Sequence, residues 1–271
     1  MLNNVIVTVI VSIVCVTGLA ANITVIVAIS YGKLLAHDRP SVYLFLIQVA
    51  VTDSLGILIT FCTRVPEGII EDYLFAGGIS SQTNILFSSI FMYFWFVSIL
   101  FYILIAVNRL WAVVFIRSTM ITRPRIIFSS TLAYILAFVV MIYVQFITPC
   151  CTFVSSRETF SYTYLFIENV ENRSNTVDSA LNFSGTLVAI VCYSTVVITM
   201  KRSRGHSHAR GALGKRRMKE YRLALQFAAV SLIFTASWVL FRILPLILGP
   251  DNMQLLNGFT TIMCMLNLSA N

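Results

Sequence analysis

Long apolar runs separated by short polar stretches set the pattern of this chain. Runs near 5–30, 41–62, 83–108, 126–148, 179–200, 223–248 and 254–271 read as bilayer-spanning, since a spanning helix needs about 20 mostly apolar residues. Between Asp72 and Arg109 no residue is charged. A lipid-exposed span must satisfy its backbone groups internally, so the runs predict helices. A transmembrane barrel would show segments of roughly 10 residues with alternating polarity. The sequence shows no such alternation, no repeat and no low-complexity tract. The expected fold is therefore all-α: an integral membrane seven-transmembrane helix bundle, formed as one domain over residues 1–271.

Composition agrees with the pattern. The chain is 58% hydrophobic and only 11% charged, where a soluble domain carries about 25% charged residues. Residues 1–32 are uncharged, which suits a first spanning helix better than a cleaved signal peptide with its basic n-region. Charge then sets the orientation. With the N-terminus outside, the inner loops hold most of the 19 Lys and Arg: Lys33 and Arg39, then Arg109, Arg117, Arg123 and Arg125, then the cluster from Lys201 to Arg222. The outer loops keep Arg64, Arg157 and Arg173, together with Glu67, Glu71, Asp72 and Asp178. This is the asymmetry of the positive-inside rule. The net charge of +8 thus reflects topology in a lipid bilayer, and a nucleic-acid partner finds no support.

A few polar residues interrupt the spans. Asp53 lies near the middle of the second run, where a carboxylate needs an ion, a proton or hydrogen bonds. Ser98 lies three helical turns before Arg109, on the face that would meet Asp53. Gly18 and Asn22 mark the first run, and Asn267 and Asn271 the last. Arg109, in Asn108-Arg109-Leu110, closes the third run at its basic end. This set resembles the rhodopsin-like seven-helix receptors, with asparagine in place of the acid that precedes the arginine. The resemblance implies a sodium site at Asp53, Ser98, Asn267 and Asn271, whose oxygens suit a hard cation. No other cofactor is implied. It also implies a switch in which Glu220, at the start of the sixth helix, pairs with Arg109, and Tyr193 meets the arginine in the active state. Trp238, four residues after Phe234, is similar to the family's sixth-helix aromatic switch.

Within that superfamily the segment Ser41 to Asp53, followed by Arg64-Val65-Pro66, resembles the nematode serpentine chemoreceptors. Lys219 to Gln226 fits the start of their sixth helix. Class v of the Srg superfamily is the preferred assignment, with classes x, g and t close. The resemblance implies a sensory receptor of the plasma membrane, in a sensory cilium, that couples a small-molecule or peptide ligand to a heterotrimeric G protein. Departures from the wider family pattern are also present. Gly185 and Leu240 stand where the fifth and sixth helices usually carry proline. The place of the usual third-helix cysteine falls near Asn84, so the common disulfide to the second outer loop cannot form. A bridge from Cys62 to Cys150 or Cys151 is the expected substitute, while Cys15, Cys192 and Cys264 read as buried small apolar residues. The seventh helix is expected to be truncated at its cytoplasmic end, because the sequence stops at Asn271.

Phe91, Trp95 and Ser98 lie at i, i+4 and i+7, which places them on one helix face. An outward-opening ligand pocket is expected there, with Trp238 as floor and Phe91, Trp95, Phe241 and Arg242 as walls. Arg242 would favour an acidic or hydrogen-bond-accepting ligand. The sequon at Asn172 is the one clearly placed in an outer loop. Catalysis finds no foothold: His37, His206 and His208 are in loops, and no paired intramembrane carboxylates or metalloprotease motif occurs. The chain reads as a receptor and not an enzyme. A secondary transporter would show repeats or broken helices around a midplane site, and a non-signalling membrane protein is the other alternative.

Overall fold

The computed structural model describes residues 2–35, 42–114, 123–148, 150–157, 161–165 and 172–206, with positions 228, 229, 232, 235, 236 and 239 beyond them. Five long helices form the bundle among these residues: α1 (Leu2–Tyr31), α2 (Val42–Ile70), α3 (Gln82–Val114), α4 (Arg123–Ile142) and α5 (Arg173–His206). Each is long and apolar enough to cross a bilayer. α3 is the hub, packing against α2, α4 and α5, while α1 lies along α2.

The burial pattern is that of a membrane bundle. α4 exposes Ile127, Phe128, Leu132, Ile135, Phe138 and Val139, and α1 exposes Val5, Ile6, Val9 and Ile13. In water such continuous apolar faces would aggregate; in lipid they are the solvent-facing surface. Small polar residues are buried instead: Asn22, Thr52, Thr60, Ser88, Ser89, Ser98 and Ser130. Small and hydroxylic side chains let helices approach closely and bond across the gap. Gly68 shows this on α2, where an added Cβ would run into the Thr8 side chain of α1. At Gly185 on α5 an added Cβ would meet Ile99 of α3 at 3.0 Å. The main core joins Phe45 and Val49 of α2 to Met92, Phe96, Phe101 and Ile105 of α3, with Ala189 and Tyr193 of α5.

Two features correct the sequence reading. The bundle is not purely helical: β1 (Phe153–Ser156) and β2 (Ser161–Tyr164) form an antiparallel hairpin between α4 and α5, with Phe153 opposite Tyr164 and Ser156 opposite Ser161. These strands are too short to register as barrel-type alternation. The second helix also runs past 62, through Pro66, to Ile70. Arg64 and Glu67, expected in an outer loop, are helical and buried at 8% and 2% exposure. The hairpin supplies the partners that make this burial affordable.

Candidate functional site

The hairpin caps one end of the bundle, and three helices hold it by hydrogen bonds to its backbone. α4 passes into a π-helical turn, Tyr143–Ile147, before it stops at Thr148. Such turns shift side-chain direction within a helix. Here Gln145 is buried and pairs with Phe153 twice: its Nε2 donates to the Phe153 carbonyl at 2.8 Å, and its Oε1 accepts from the Phe153 N–H at 3.1 Å. Gln145 therefore acts as a strand edge for β1.

α3 holds the same strand. Asn84 Nδ2 donates to the Ser155 carbonyl at 2.9 Å and to the Ile79 carbonyl at 2.9 Å. Ser88 Oγ accepts from the Ser155 N–H at 2.8 Å. A hydrogen-bonded clamp thus stands near the place where the wider family would carry a cysteine. The expected bridge from Cys62 is not made. Cys150 and Cys151 are bonded to each other, and Cys62 is a free, exposed thiol. On α2, Thr63, Arg64 and Glu67 face inward, so Cys62, one position away, is turned outward. Cys15 and Cys192 are buried, as expected.

α2 contributes the charged part of the cap. Arg64 Nη1 donates to the Ser156 carbonyl at 2.8 Å and lies 3.9 Å from Glu67 Oε2. The guanidinium carbon sits 4.7 Å from the centroid of the Tyr162 ring. Ser155 Oγ donates to Glu67 Oε2 at 3.3 Å. Tyr162 is in turn the middle ring of a stack, 4.1 Å from Phe91 and 5.2 Å from Phe153, with both pairs within 8° of parallel. Phe91 therefore lies directly beneath the hairpin, while Trp95, one turn further along α3, is half-buried against the main core.

Below the cap lies the polar pair of α2 and α3. Ser98 Oγ donates to Asp53 Oδ1 at 2.7 Å, and both residues are buried at 1% exposure or less. Their convergence follows from spacing: each sits on the inward stripe of its helix, facing the α2–α3 seam. Further along α3, Asn108 and Arg109 are buried at 7% and 3% exposure. Tyr193 on α5 is buried in the main core. The sequence reading missed Asn182 and Thr186, which lie one turn apart on α5. The Asn182 Nδ2 donates to Asp178 Oδ1 at 2.8 Å, whereas among the described residues the buried Asn182 Oδ1 and Thr186 Oγ1 have no hydrogen-bond partner. Their i, i+4 spacing was the available signal. Asn172 stands at the start of α5, its Oδ1 accepting from the Asn175 N–H at 2.9 Å. Glu220, Trp238, Phe241, Arg242, Cys264, Asn267 and Asn271 lie outside the described residues.

Residues 13–269 match the family described as "Serpentine type 7TM GPCR chemoreceptor Srx". The match is to class x, where the second-helix segment had suggested class v first; motifs this short do not separate the neighbouring classes. No curated protein matches the chain. Among solved structures, squid rhodopsin superposes with a TM-score of 0.76 at 18% identity, covering 97% of this chain and 79% of its own. At that identity the likeness speaks to the fold, a rhodopsin-like helical membrane bundle.

Proposed function

The chain belongs to the Srx family of serpentine seven-transmembrane chemoreceptors, and on that premise we propose that it senses an extracellular small molecule or peptide and activates a heterotrimeric G protein. In this reading residues 1–271 form one seven-helix domain, with the sixth and seventh spans near 223–248 and 254–271 and the N-terminus outside. The receptor works in the plasma membrane of a sensory cilium, and Asn172 carries a glycan.

One observation supports the signalling role above others. α3 runs unbroken for 33 residues, about 50 Å at 1.5 Å per residue. It carries Phe91 under the outer cap, Ser98 bonded to Asp53 at mid-depth, and buried Arg109 near the far end. A displacement at the cap is thereby linked to the inner face by one rigid element. We assign the ligand to a pocket walled by Phe91, Trp95, Phe241 and Arg242 and floored by Trp238. Asn182 and Thr186 offer it hydrogen-bonding groups from α5. Asp53, Ser98, Asn267 and Asn271 hold a sodium ion, and Arg109, Glu220 and Tyr193 form the switch.

The test is G-protein activation in a heterologous cell, screened against odorant mixtures with surface expression measured in parallel. Ligand-dependent activation that is lost in Arg109→Ala at normal surface level supports the reading. Uptake of a solute without G-protein activation would identify a transporter instead. An epitope tag in the loop at 207–219 should be detected only after permeabilisation; detection on intact cells overturns the topology. Arg242→Gln should weaken responses to acidic ligands while surface expression stays normal.

A further inference from the structure

A cleft of about 420 Å³ opens beside α5, lined by Ile190, Ser194, Val197 and Ile198 of that helix and by Ala228 and Leu232 of the sixth span. Its rim is apolar and exposed: Ile190, Ile198 and Leu232 are 48%, 52% and 63% exposed. The lining has hydroxyls but no charged side chain. Exposed apolar rims of a membrane bundle face lipid, so the cleft opens sideways into the bilayer. A strongly polar ligand would find little there to replace its water.

One stripe of α5 gives the cleft a direction. Ile190, Ser194, Val197 and Lys201 stand at i, i+4, i+7 and i+11, which is one helix face. The steps from Ile190 to Lys201 cover about 16 Å at 1.5 Å per residue, close to half of a hydrocarbon core of about 30 Å. The apolar window of α5 ends at Thr199, so Lys201 and its neighbour Arg202, both exposed, stand at the level of the headgroups. The cleft therefore spans one leaflet and has cations at its headgroup end.

Size decides between occupants. A helix of a second copy, about 10 Å across, would fill about 1,200 Å³ over that length, far more than the cleft holds. At about 30 Å³ for a group the size of a water, the cleft takes roughly fourteen methylenes, which is one acyl chain.

We propose that the cleft between α5 and the sixth span binds one anionic phospholipid, its acyl chain in the cleft and its headgroup at Lys201 and Arg202. The leaflet is the inner one in the orientation proposed above, and binding depends on neither the sensed ligand nor the G protein.

The measurement is native mass spectrometry of the purified full chain in detergent, with equal amounts of phosphatidylserine and phosphatidylcholine carrying the same chains. Phosphatidylserine should lead as the first bound lipid by about fivefold, the preference that one basic residue near a membrane surface gives. Changing Lys201→Gln and Arg202→Gln together should bring the ratio close to one at an unchanged unfolding midpoint. Ser194→Phe, which fills the cleft and leaves both cations in place, should lower first-lipid binding and remove the preference. Glycerophosphoserine, the headgroup without chains, should not compete. Equal occupancy by the two lipids in the wild type would remove the headgroup contact. A preference that survives either variant would place the lipid elsewhere on the basic face, and displacement by glycerophosphoserine would show that no chain is held. Each of these results overturns the assignment.

Discussion

Replacing Arg64 by methionine keeps the length and apolar stem of the side chain and removes its charge. Three interactions vanish with it. The first is the bond to the Ser156 carbonyl at 2.8 Å, worth about 1.5–3 kcal/mol for a charged donor. The second is the attraction to Glu67 at 3.9 Å, about 4 kcal/mol gross at an effective dielectric of 20. The third is the contact with the Tyr162 ring, about 2 kcal/mol when desolvated. The recovered cost of burying a guanidinium cancels much of this sum. What remains is chiefly a buried Glu67 carboxylate without its countercharge, and breaking a buried pair from one side costs about 3–5 kcal/mol. At about 2–4 °C per kcal/mol, the unfolding midpoint should fall by roughly 10 °C. Replacing both Arg64 and Glu67 by methionine removes the stranded charge, so the double variant should be more stable than the two single effects predict by about 1–3 kcal/mol. The cycle is read by intrinsic fluorescence on heating. Effects that add within about 0.5 kcal/mol would refute the reasoning, because they would show that the two side chains do not feel each other.

Three further outcomes follow from the packing. Ser98→Ala removes the donor to the buried Asp53 carboxylate and should cost about 1.5–3 kcal/mol, with Asp53→Asn in the same background restoring part of it; equal midpoints for the wild type and Ser98→Ala would exclude a stabilising bond. Gly68→Ala forces the Cβ against Thr8 and should lower the midpoint as overpacking does, by about 1–3 kcal/mol, whereas Gly68→Ala with Thr8→Ala should recover it; no recovery would mean that the strain lies elsewhere. Phe91→Ala empties one side of the Tyr162 stack and should cost about 3–5 kcal/mol, with Phe91→Leu milder; limited proteolysis of the hairpin should accelerate in the alanine variant, and an unchanged cleavage rate would detach Phe91 from the cap.

How much of this was legible in the sequence depends on how far apart the cause and the effect lie along the chain. The existence and order of the first five helices were readable, because a bilayer imposes a local requirement on every span. The meeting of Asp53 and Ser98 was readable too, since each position shows its inward face through its own helix period. The end of α2 was not. Arg64 and Glu67 look like loop charges when only their neighbours are considered, and a sequence reading rightly resists placing them in a core. Their partners, Ser155 and Ser156 for hydrogen bonds and Tyr162 for its ring, come from a hairpin some ninety residues later. The hairpin was hidden in turn because four-residue strands carry almost no periodic signal. What binds it to the bundle is backbone pairing with Gln145, Asn84 and Ser88.

The misplaced disulfide has the same origin in distance along the chain. With no cysteine near Asn84, Cys62 is the thiol nearest that end of α2, and it suggests a covalent tie to Cys150 or Cys151. The tie exists, but in another currency of interaction: Asn84 and Ser88 reach Ser155 from α3, Gln145 reaches Phe153 from α4, and Arg64 reaches Ser156 from α2. Three helices thereby grip successive parts of one strand. A disulfide would fix a single point and leave the strand free to pivot about it. Hydrogen bonds spaced along β1 fix both its position and its register, which in turn sets Tyr162 over Phe91 through the pairing of Ser155 with Tyr162. The cap is therefore held against α3 as a unit, by Asn84 and Ser88 on β1 and by Phe91 beneath Tyr162 on β2.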